Sequence, residues 1–134
     1  PLLKMNHYKA LILGTGGAAK AVEYVLKNIG LDVLYVSRNP ESESEKSYDE
    51  LNDVAVKNFP VIVNSTPLGM HPEVDVCPDI PYEHLSEDNL LYDLIYNPGE
   101  TLFMKKGAEQ GANTQNGLGM LKLQAEKAWE IWNS

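Results

Sequence analysis

The sequence predicts an α/β fold in which a doubly wound, mainly parallel sheet lies between two layers of helices. Short continuous apolar runs alternate with segments whose apolar residues recur at helical spacing, in the order β-α-β-(α)-β-loop-β-α-β-α. Strands that are apolar on both faces are typical of a parallel sheet covered on both sides. The first apolar run also passes through a glycine-rich turn into the first helix. A chain of 134 residues suits one such three-layer α/β/α domain, over residues 1–134, with right-handed crossovers.

The first strand and the first helix are predicted on either side of the glycine turn. Residues 9–13 form the apolar strand, and the apolar residues after the turn recur at helical spacing. These residues are Val22, Val25, Leu26 and Ile29. They predict a helix over 17–29, with Gly30 as its C-terminal stop, and a second strand over 33–36.

Ser47 is predicted to cap a short helix over 48–53, because Glu50 follows it at the spacing of a capping box. The acidic stretch 39–45 before it is interpreted as a solvated loop. The remaining elements follow from the same two periodicities: strands over 61–63, 90–95 and 112–114, and helices over 101–110 and 119–132. Gly111 is predicted to close the first of these two helices.

Composition and charge exclude several classes of function. The net charge of −8 argues against a nucleic-acid partner, because phosphate binding needs a basic surface. A single cysteine, Cys77, forms neither an intrachain disulfide nor a multi-cysteine metal site, so we expect a cytoplasmic protein. No apolar run approaches the ~18 residues that span a bilayer, so we expect no membrane contact. The histidines His7, His71 and His84 lack the spacing of metal ligands, and we predict no metal site.

The turn Gly14-Thr15-Gly16-Gly17-Ala18-Ala19 is typical of a Rossmann-like dinucleotide-binding unit, in the variant that ends in Ala. Gly14 permits the tight turn out of the strand, and Gly16 lets a pyrophosphate approach the backbone. Ala19 is small enough for the helix to pack close to the strand. The N–H groups at the helix start favour an anion there. The alternative interpretation is a glycine-rich turn that binds nothing.

The residues at the end of the second strand indicate which nucleotide is bound. An NAD site usually places Asp or Glu about 20 residues after the glycines, where it bonds the ribose 2′-OH. Here the sequence is Ser37-Arg38-Asn39, without a carboxylate. Arg38 attracts a 2′-phosphate and can stack on adenine, so we predict NADP as the cofactor. The alternative is that Arg38 is an ordinary surface arginine.

Three further loops are predicted at the same carboxyl edge of the sheet, where doubly wound folds bind their ligands: residues 64–70, 96–98 and 116–120. Asn64 and Thr66 are predicted to bond the nicotinamide half of the cofactor, and Gly117 to let its planar ring approach the backbone. Plain turn chemistry explains any one of these loops, but their clustering at one edge favours a binding site.

Five motifs, in this order, resemble the shikimate dehydrogenase family, specifically its C-terminal NADP-binding half. They are Gly14-Thr15-Gly16-Gly17-Ala18-Ala19, Ser37-Arg38-Asn39, Asn64-Ser65-Thr66-Pro67-Leu68-Gly69-Met70, Asp93-Leu94-Ile95-Tyr96-Asn97-Pro98, and Asn116-Gly117-Leu118-Gly119-Met120 with Gln124-Ala125. The resemblance covers essentially the whole chain. Members often carry Asn-Arg-Thr at the second motif, and this chain keeps the central Arg.

The resemblance implies an oxidoreductase that reduces 3-dehydroshikimate to shikimate with NADPH, in aromatic amino-acid biosynthesis (the chorismate pathway). By position, it implies that the pyrophosphate is held by Gly14, Gly16, Gly17 and Ala18. It implies that Ser37 and Arg38 meet the 2′-phosphate and adenine. It places Thr66, Met70 and Gly117 around the nicotinamide, and Tyr96 and Gln124 facing the shikimate.

The family's substrate domain, which carries its catalytic Lys and Asp, has no counterpart in this sequence. We therefore assign no catalytic residue and expect a domain fragment that is inactive alone, since hydride transfer needs both reactants held in one cleft. The helix over 119–132 is expected to pack toward that domain, and its apolar surface to favour a homo-oligomer. One alternative is a domain of a quinate or methylene-tetrahydrofolate dehydrogenase; Tyr96 and Gln124 argue against the folate enzyme. The other is a free-standing nucleotide-sensing module that binds a protein partner.

Overall fold

A computed structural model describes residues 9–28, 30–38, 40, 45–70, 72–95 and 99–117. These residues form one sheet of six strands: β1 Lys9–Leu13, β2 Asp32–Val36, β3 Glu45–Lys46, β4 Val61–Asn64, β5 Leu90–Asp93 and β6 Asn113–Asn116. The helices are α1 Gly17–Asn28, α2 Asp53–Asn58 and α3 Leu102–Glu109, with short 3-10 turns at Tyr48–Glu50 and Tyr82–His84.

All neighbouring strands pair in parallel, in the order β3-β2-β1-β4-β5-β6. The chain moves outward from β1 to β3 on one side and from β4 to β6 on the other. The direction of winding therefore switches between β1 and β4, which is where doubly wound sheets open a crevice for ligands. The predicted doubly wound α/β/α architecture is confirmed.

The alternation of side chains along β1 creates a core on each face of the sheet. Ala10 and Ile12 pack with residues of α1, whereas Leu11 and Leu13 pack with residues of α2 and α3. All four are fully buried. Because each buried aliphatic side chain contributes roughly 1.5–3 kcal/mol, the two clusters hold the helical layers against the sheet and fix where its carboxyl edge lies.

Glycines end α1 and α3 where the sequence predicts. Gly30 has φ of +94° and follows α1, and the Leu31 N–H donates back to the Leu26 carbonyl at 3.0 Å. Gly111 has φ of +88° and follows α3, and the Ala112 N–H donates to the Gly107 carbonyl at 3.1 Å. Positive φ is open to glycine at little steric cost, so both helices stop sharply and the chain returns to the sheet.

The predicted short helix over 48–53 is wrong beyond Glu50. Only a 3-10 turn forms at Tyr48–Glu50, although the Glu50 carboxylate accepts from the Ser47 N–H at 3.0 Å, as the predicted capping box requires. Leu51 takes an extended conformation and is buried, which ends the turn, and Asn52 then caps the unpredicted helix α2 by accepting from the Ala55 N–H at 2.9 Å.

Other bounds differ by a few residues. The interpretation of 39–45 as a loop is wrong at Glu45, which pairs with Tyr35 as the start of β3. β5 ends at Asp93 rather than residue 95, and β6 extends to Asn116. The predicted helix over 119–132, and Ile29 in the first helix, lie outside the described residues. No helix within the described ranges has the length and apolar character needed to cross a bilayer.

Candidate functional site

A cavity of about 360 Å³ opens at the switch point, at the carboxyl ends of β1 and β4. Its walls come from the glycine turn, the end of β2, the 3-10 turn and the loop after β4. The lining residues are Gly14, Thr15, Gly16, Val36, Ser37, Arg38, Tyr48, Ser65, Thr66 and Pro67. The sheet topology thus brings together four segments that lie up to about fifty residues apart in sequence.

The glycine turn requires glycine at its first position for two reasons. Gly14 has φ of +103°, and its N–H donates to the Val36 carbonyl at 2.9 Å. A Cβ on Gly14 would also lie 3.0 Å from Ser65 Oγ and 3.2 Å from Thr66 Cγ2, closer than side chains normally pack. The turn therefore holds β1, β2 and the loop after β4 in close contact.

The other two glycines of the turn have open space where a side chain would be. A Cβ on Gly16 or Gly17 would meet no atom within 4 Å. α1 begins at Gly17 and carries no acidic residue in its first turn. The positive end of the helix dipole therefore lies at the edge of the cavity, where it favours an anion such as a pyrophosphate.

Arg38 lies on the wall of two adjoining cavities. The second has a volume of about 270 Å³ and is lined by Arg38, Tyr48, Thr66, Pro67, Leu68, Cys77 and Asp79. Burial raises the pKa of the Tyr48 hydroxyl; the Arg38 charge opposes this shift and the Asp79 charge adds to it. Tyr48 and Asp79 belong to no sequence motif, and only the fold brings them near Arg38.

The loop after β4 is held by its own polar side chains. Ser65 Oγ donates to the Leu13 carbonyl at 2.6 Å, tying the loop to β1. Asn64 Oδ1 accepts from the Thr66 N–H at 3.0 Å and from Thr66 Oγ1 at 2.6 Å. Asn64 is fully buried and lines neither cavity, so the structure gives it a supporting place behind Thr66.

The structure brings about half of the predicted site residues together at the first cavity. Gly14, Gly16, Ser37, Arg38 and Thr66 line it. Gly17 and Ala18 form the adjacent first turn of α1. Met70 is 47% exposed and Gly117 follows β6 with φ of +87°; neither lines the two cavities. Tyr96 and Gln124 lie outside the described residues.

Among the residues that are described, no group of three His, Cys, Asp or Glu side chains has the arrangement of a metal site.

Comparison with known proteins gives a consistent family of relatives. No protein-family model matches the chain. A shikimate dehydrogenase (NADP(+)) from Methanococcus maripaludis strain C7 is 41% identical over 91% of this chain and 48% of its own length. A crystal structure of shikimate dehydrogenase in complex with NADP+ is 34% identical, with a TM-score of 0.67 over 93% of this chain and 48% of that chain.

A second solved structure is also similar to this chain. Shikimate 5-dehydrogenase from Listeria monocytogenes, in complex with shikimate and NAD, is 25% identical with a TM-score of 0.73 over 95% of this chain and 51% of that chain. The chain spans about half the length of the curated relatives it matches. The resemblance drawn from the sequence motifs is confirmed: this chain is a homologue of the shikimate dehydrogenases over about half of their length.

Proposed function

We propose that this chain is the NADP-binding domain of a shikimate dehydrogenase, which reduces 3-dehydroshikimate to shikimate with NADPH. The observation that carries the proposal is Arg38, which lies at the end of β2 and lines the same cavity as the glycine turn. A guanidinium at this place suits a 2′-phosphate, and a carboxylate there would repel one. The solved structure with NADP+ and the NADP(+)-dependent relatives support the same nucleotide.

Each wall of the cavity has a proposed role toward one part of the nucleotide. The glycine turn and the start of α1 bind the pyrophosphate through backbone N–H groups, and Ser37 and Arg38 bind the 2′-phosphate. Thr66, on the wall beside Gly14, and Met70 and Gly117, which lie outside that wall, are the proposed contacts of the nicotinamide. When bound, NADPH supplies the hydride that the reaction transfers. Tyr96 and Gln124 are the proposed contacts of this domain with the substrate.

The resemblance places the catalytic Lys and Asp of the family in its other domain, so we expect this 134-residue chain by itself to bind nucleotide without catalysing turnover. Proton transfer requires an acid within hydrogen-bonding reach of the substrate oxygen.

We further propose that residues 119–132, whose sequence is apolar around much of a helix, favour self-association. A sedimentation profile that stays monomeric at high concentration would contradict that part. The single cysteine, Cys77, supports a cytoplasmic setting.

Calorimetric titration of the purified chain with NADPH, NADH and adenosine 2′,5′-bisphosphate, at one salt concentration, tests the nucleotide assignment. We expect NADPH to bind at least tenfold more tightly than NADH, because a 2′-phosphate beside Arg38 adds a charged hydrogen bond of about 1.5–3 kcal/mol. Adenosine 2′,5′-bisphosphate, which keeps the 2′-phosphate and lacks the nicotinamide, should bind as well. Equal affinity for NADPH and NADH, or binding of neither, would overturn the assignment.

A further inference from the structure

Asp93, the last residue of β5, is a fully buried carboxylate that none of the ion pairs among the described residues includes. A buried carboxylate is costly unless hydrogen bonds satisfy it. Burial raises the pKa of Asp93, and hydrogen bonds from Ile95, Thr101 and Asn64 oppose that shift. An apolar residue would serve as well for the packing of the sheet, so the packing alone does not explain a carboxylate at this position.

The Asp93 side chain accepts hydrogen bonds from three parts of the chain. Oδ1 accepts from the Ile95 N–H at 2.9 Å, and Oδ2 accepts from Thr101 Oγ1 at 2.7 Å. The Asn64 amide donates to both oxygens at 3.2 Å. Thr101 is in turn the N-cap of α3 and accepts from the Met104 N–H. Asp93 therefore joins the end of β4, the loop after β5 and the start of α3.

These bonds determine which way the Asn64 amide faces. A carboxylate only accepts hydrogen bonds, so the NH₂ end of Asn64 must face Asp93, and its oxygen must face the other way. That oxygen accepts from both the backbone N–H and the hydroxyl of Thr66, at 3.0 Å and 2.6 Å. Thr66 lines both cavities at the switch point. The Asp93 carboxylate thus fixes the orientation of the Asn64 amide, and the Asn64 oxygen in turn holds Thr66 on the cavity wall.

We infer that Asp93 is a positioning residue for nucleotide binding: its carboxylate orients Asn64, and Asn64 holds Thr66 on the wall of the cavity. The inference rests on the proposed function, since it takes the nucleotide as the ligand of that cavity. Asp93 itself lines neither cavity and acts only through Asn64 and Thr66.

The test is the affinity of Asp93→Asn and Thr66→Val for NADPH, measured by calorimetry on the 134-residue chain. Asp93→Asn keeps the volume of the side chain but places an NH₂ group against existing donors, so the Asn64 amide loses its fixed orientation. Thr66→Val removes the hydroxyl that Asn64 accepts from. We expect each variant to weaken NADPH binding about tenfold, and the double variant to lose about as much as either single variant, because both changes break one chain of contacts.

Asn89→Ala is the matched control for a loss of stability. Asn89 is another buried polar residue, next to the opposite end of β5, where its amide donates to the Val56 and Pro60 carbonyls at 3.1 and 3.2 Å. Its removal destabilises the fold without reaching the cavity, so NADPH affinity should stay within about twofold of wild type at a temperature where all variants are folded. A purely structural role for Asp93 predicts that Asp93→Asn behaves like this control.

The outcomes separate this inference from the proposed function. If the wild-type chain binds neither NADPH nor adenosine 2′,5′-bisphosphate, the proposed function is wrong. If wild type binds NADPH but Asp93→Asn binds it equally well, or if the losses of the two single variants simply add, the positioning role is wrong. Should Asp93→Asn fail to fold, Thr66→Val decides alone. This variant lacks the hydroxyl through which Asp93 and Asn64 would act, so wild-type affinity for NADPH in it would show that the positioning role is wrong.

Discussion

Gly107 of α3 packs directly against Leu91 of β5. A Cβ built on Gly107 would overlap Leu91 Cδ1 and lie 3.2 Å from Leu91 Cγ. Both residues are buried, and Leu91 is fully enclosed in the cluster that also contains Leu11 and Phe103. The helix therefore lies at a distance from the sheet that only a residue without a side chain permits.

We predict that Gly107→Ala lowers the free energy of unfolding by about 1–3 kcal/mol, because the added methyl group overpacks a filled core. This outcome opposes intrinsic helix propensity, which favours Ala over Gly by about 1 kcal/mol in a helix interior. Urea unfolding followed by circular dichroism measures the difference.

Two further variants isolate the cause. Gly17→Ala is the control, since Gly17 also lies in a helix but a Cβ there would meet nothing within 4 Å, so its stability should be unchanged or increased. Leu91→Val removes the overlapping atom, so the double variant should be more stable than the sum of the two single changes implies. If Gly107→Ala is as stable as wild type, the close contact does not limit the fold.

Sequence reasoning succeeded where structure depends on neighbouring residues. The bounds of β1, the start of α1 and the two glycine stops follow from local patterns, and the structure places each of them as predicted. It failed at residues 48–53, where the bond from the Ser47 N–H to the Glu50 carboxylate forms but Leu51 takes an extended conformation and is buried in the core. The burial of the Leu51 side chain determines the backbone conformation after Glu50, and a capping pattern carries no information about that burial.

The candidate site divides in the same way. Gly14, Gly16 and Arg38 could be predicted because they belong to motifs with a defined spacing, and all three line the cavity. Tyr48 lines it too, but only the short pairing of β3 with β2 brings it beside Arg38. Asn64 was predicted as a direct ligand, because its residue type suits one. The sequence could not reveal that a carboxylate 29 residues later engages its amide.

We predict that Gly14→Ala destabilises the fold more than Gly30→Ala and also weakens NADPH binding. Both residues have positive φ, which costs about 1–2 kcal/mol for an L-residue in either place. Only at Gly14 would the new Cβ also crowd Ser65 and Thr66, at 3.0 and 3.2 Å. Thermal unfolding compares the two stabilities, and calorimetry compares the affinities. Equal effects of the two variants on both quantities would show that the contact with the β4 loop is unimportant.

The pH dependence of stability should include a contribution from Glu23 on α1. Hydrogen bonds from Lys27 at 2.9 Å and from the Tyr35 hydroxyl at 2.7 Å lower the pKa of Glu23 below its usual 4.5. Because the folded-state pKa is the lower one, this stabilisation is present above the unfolded-state value and is lost as the pH falls through the folded-state value. We expect Glu23→Gln to be less stable than wild type at pH 7, with the difference shrinking below pH ~4.

Denaturant unfolding of wild type and variant at a series of pH values measures this difference. Glu73→Gln is the control for the change of charge, because Glu73 is exposed in a loop, and it should follow wild type at every pH. Tyr35→Phe removes one donor and leaves every charge in place, so it should lose part of the same stabilisation. A difference between wild type and Glu23→Gln that stays constant from pH 3 to pH 7 would mean that the carboxylate form of Glu23 contributes nothing.

Charge reversal at Arg38 should exchange the nucleotide preference of the cavity. In Arg38→Asp, a carboxylate would face the 2′-phosphate. We therefore expect NADPH affinity to fall by about tenfold to a hundredfold, which is equivalent to losing a charged hydrogen bond of about 1.5–3 kcal/mol. NADH affinity should be unchanged or higher, because a carboxylate at the end of β2 can accept from the ribose 2′-OH.

Lys105→Asp is the matched control: it changes the net charge by the same amount on the exposed surface of α3, away from both cavities. The wild-type preference for NADPH should also weaken as salt is raised, since ions screen the exposed Arg38 charge. If Arg38→Asp and Lys105→Asp lose the same amount of NADPH affinity, the effect is one of overall charge, and Arg38 does not select the nucleotide.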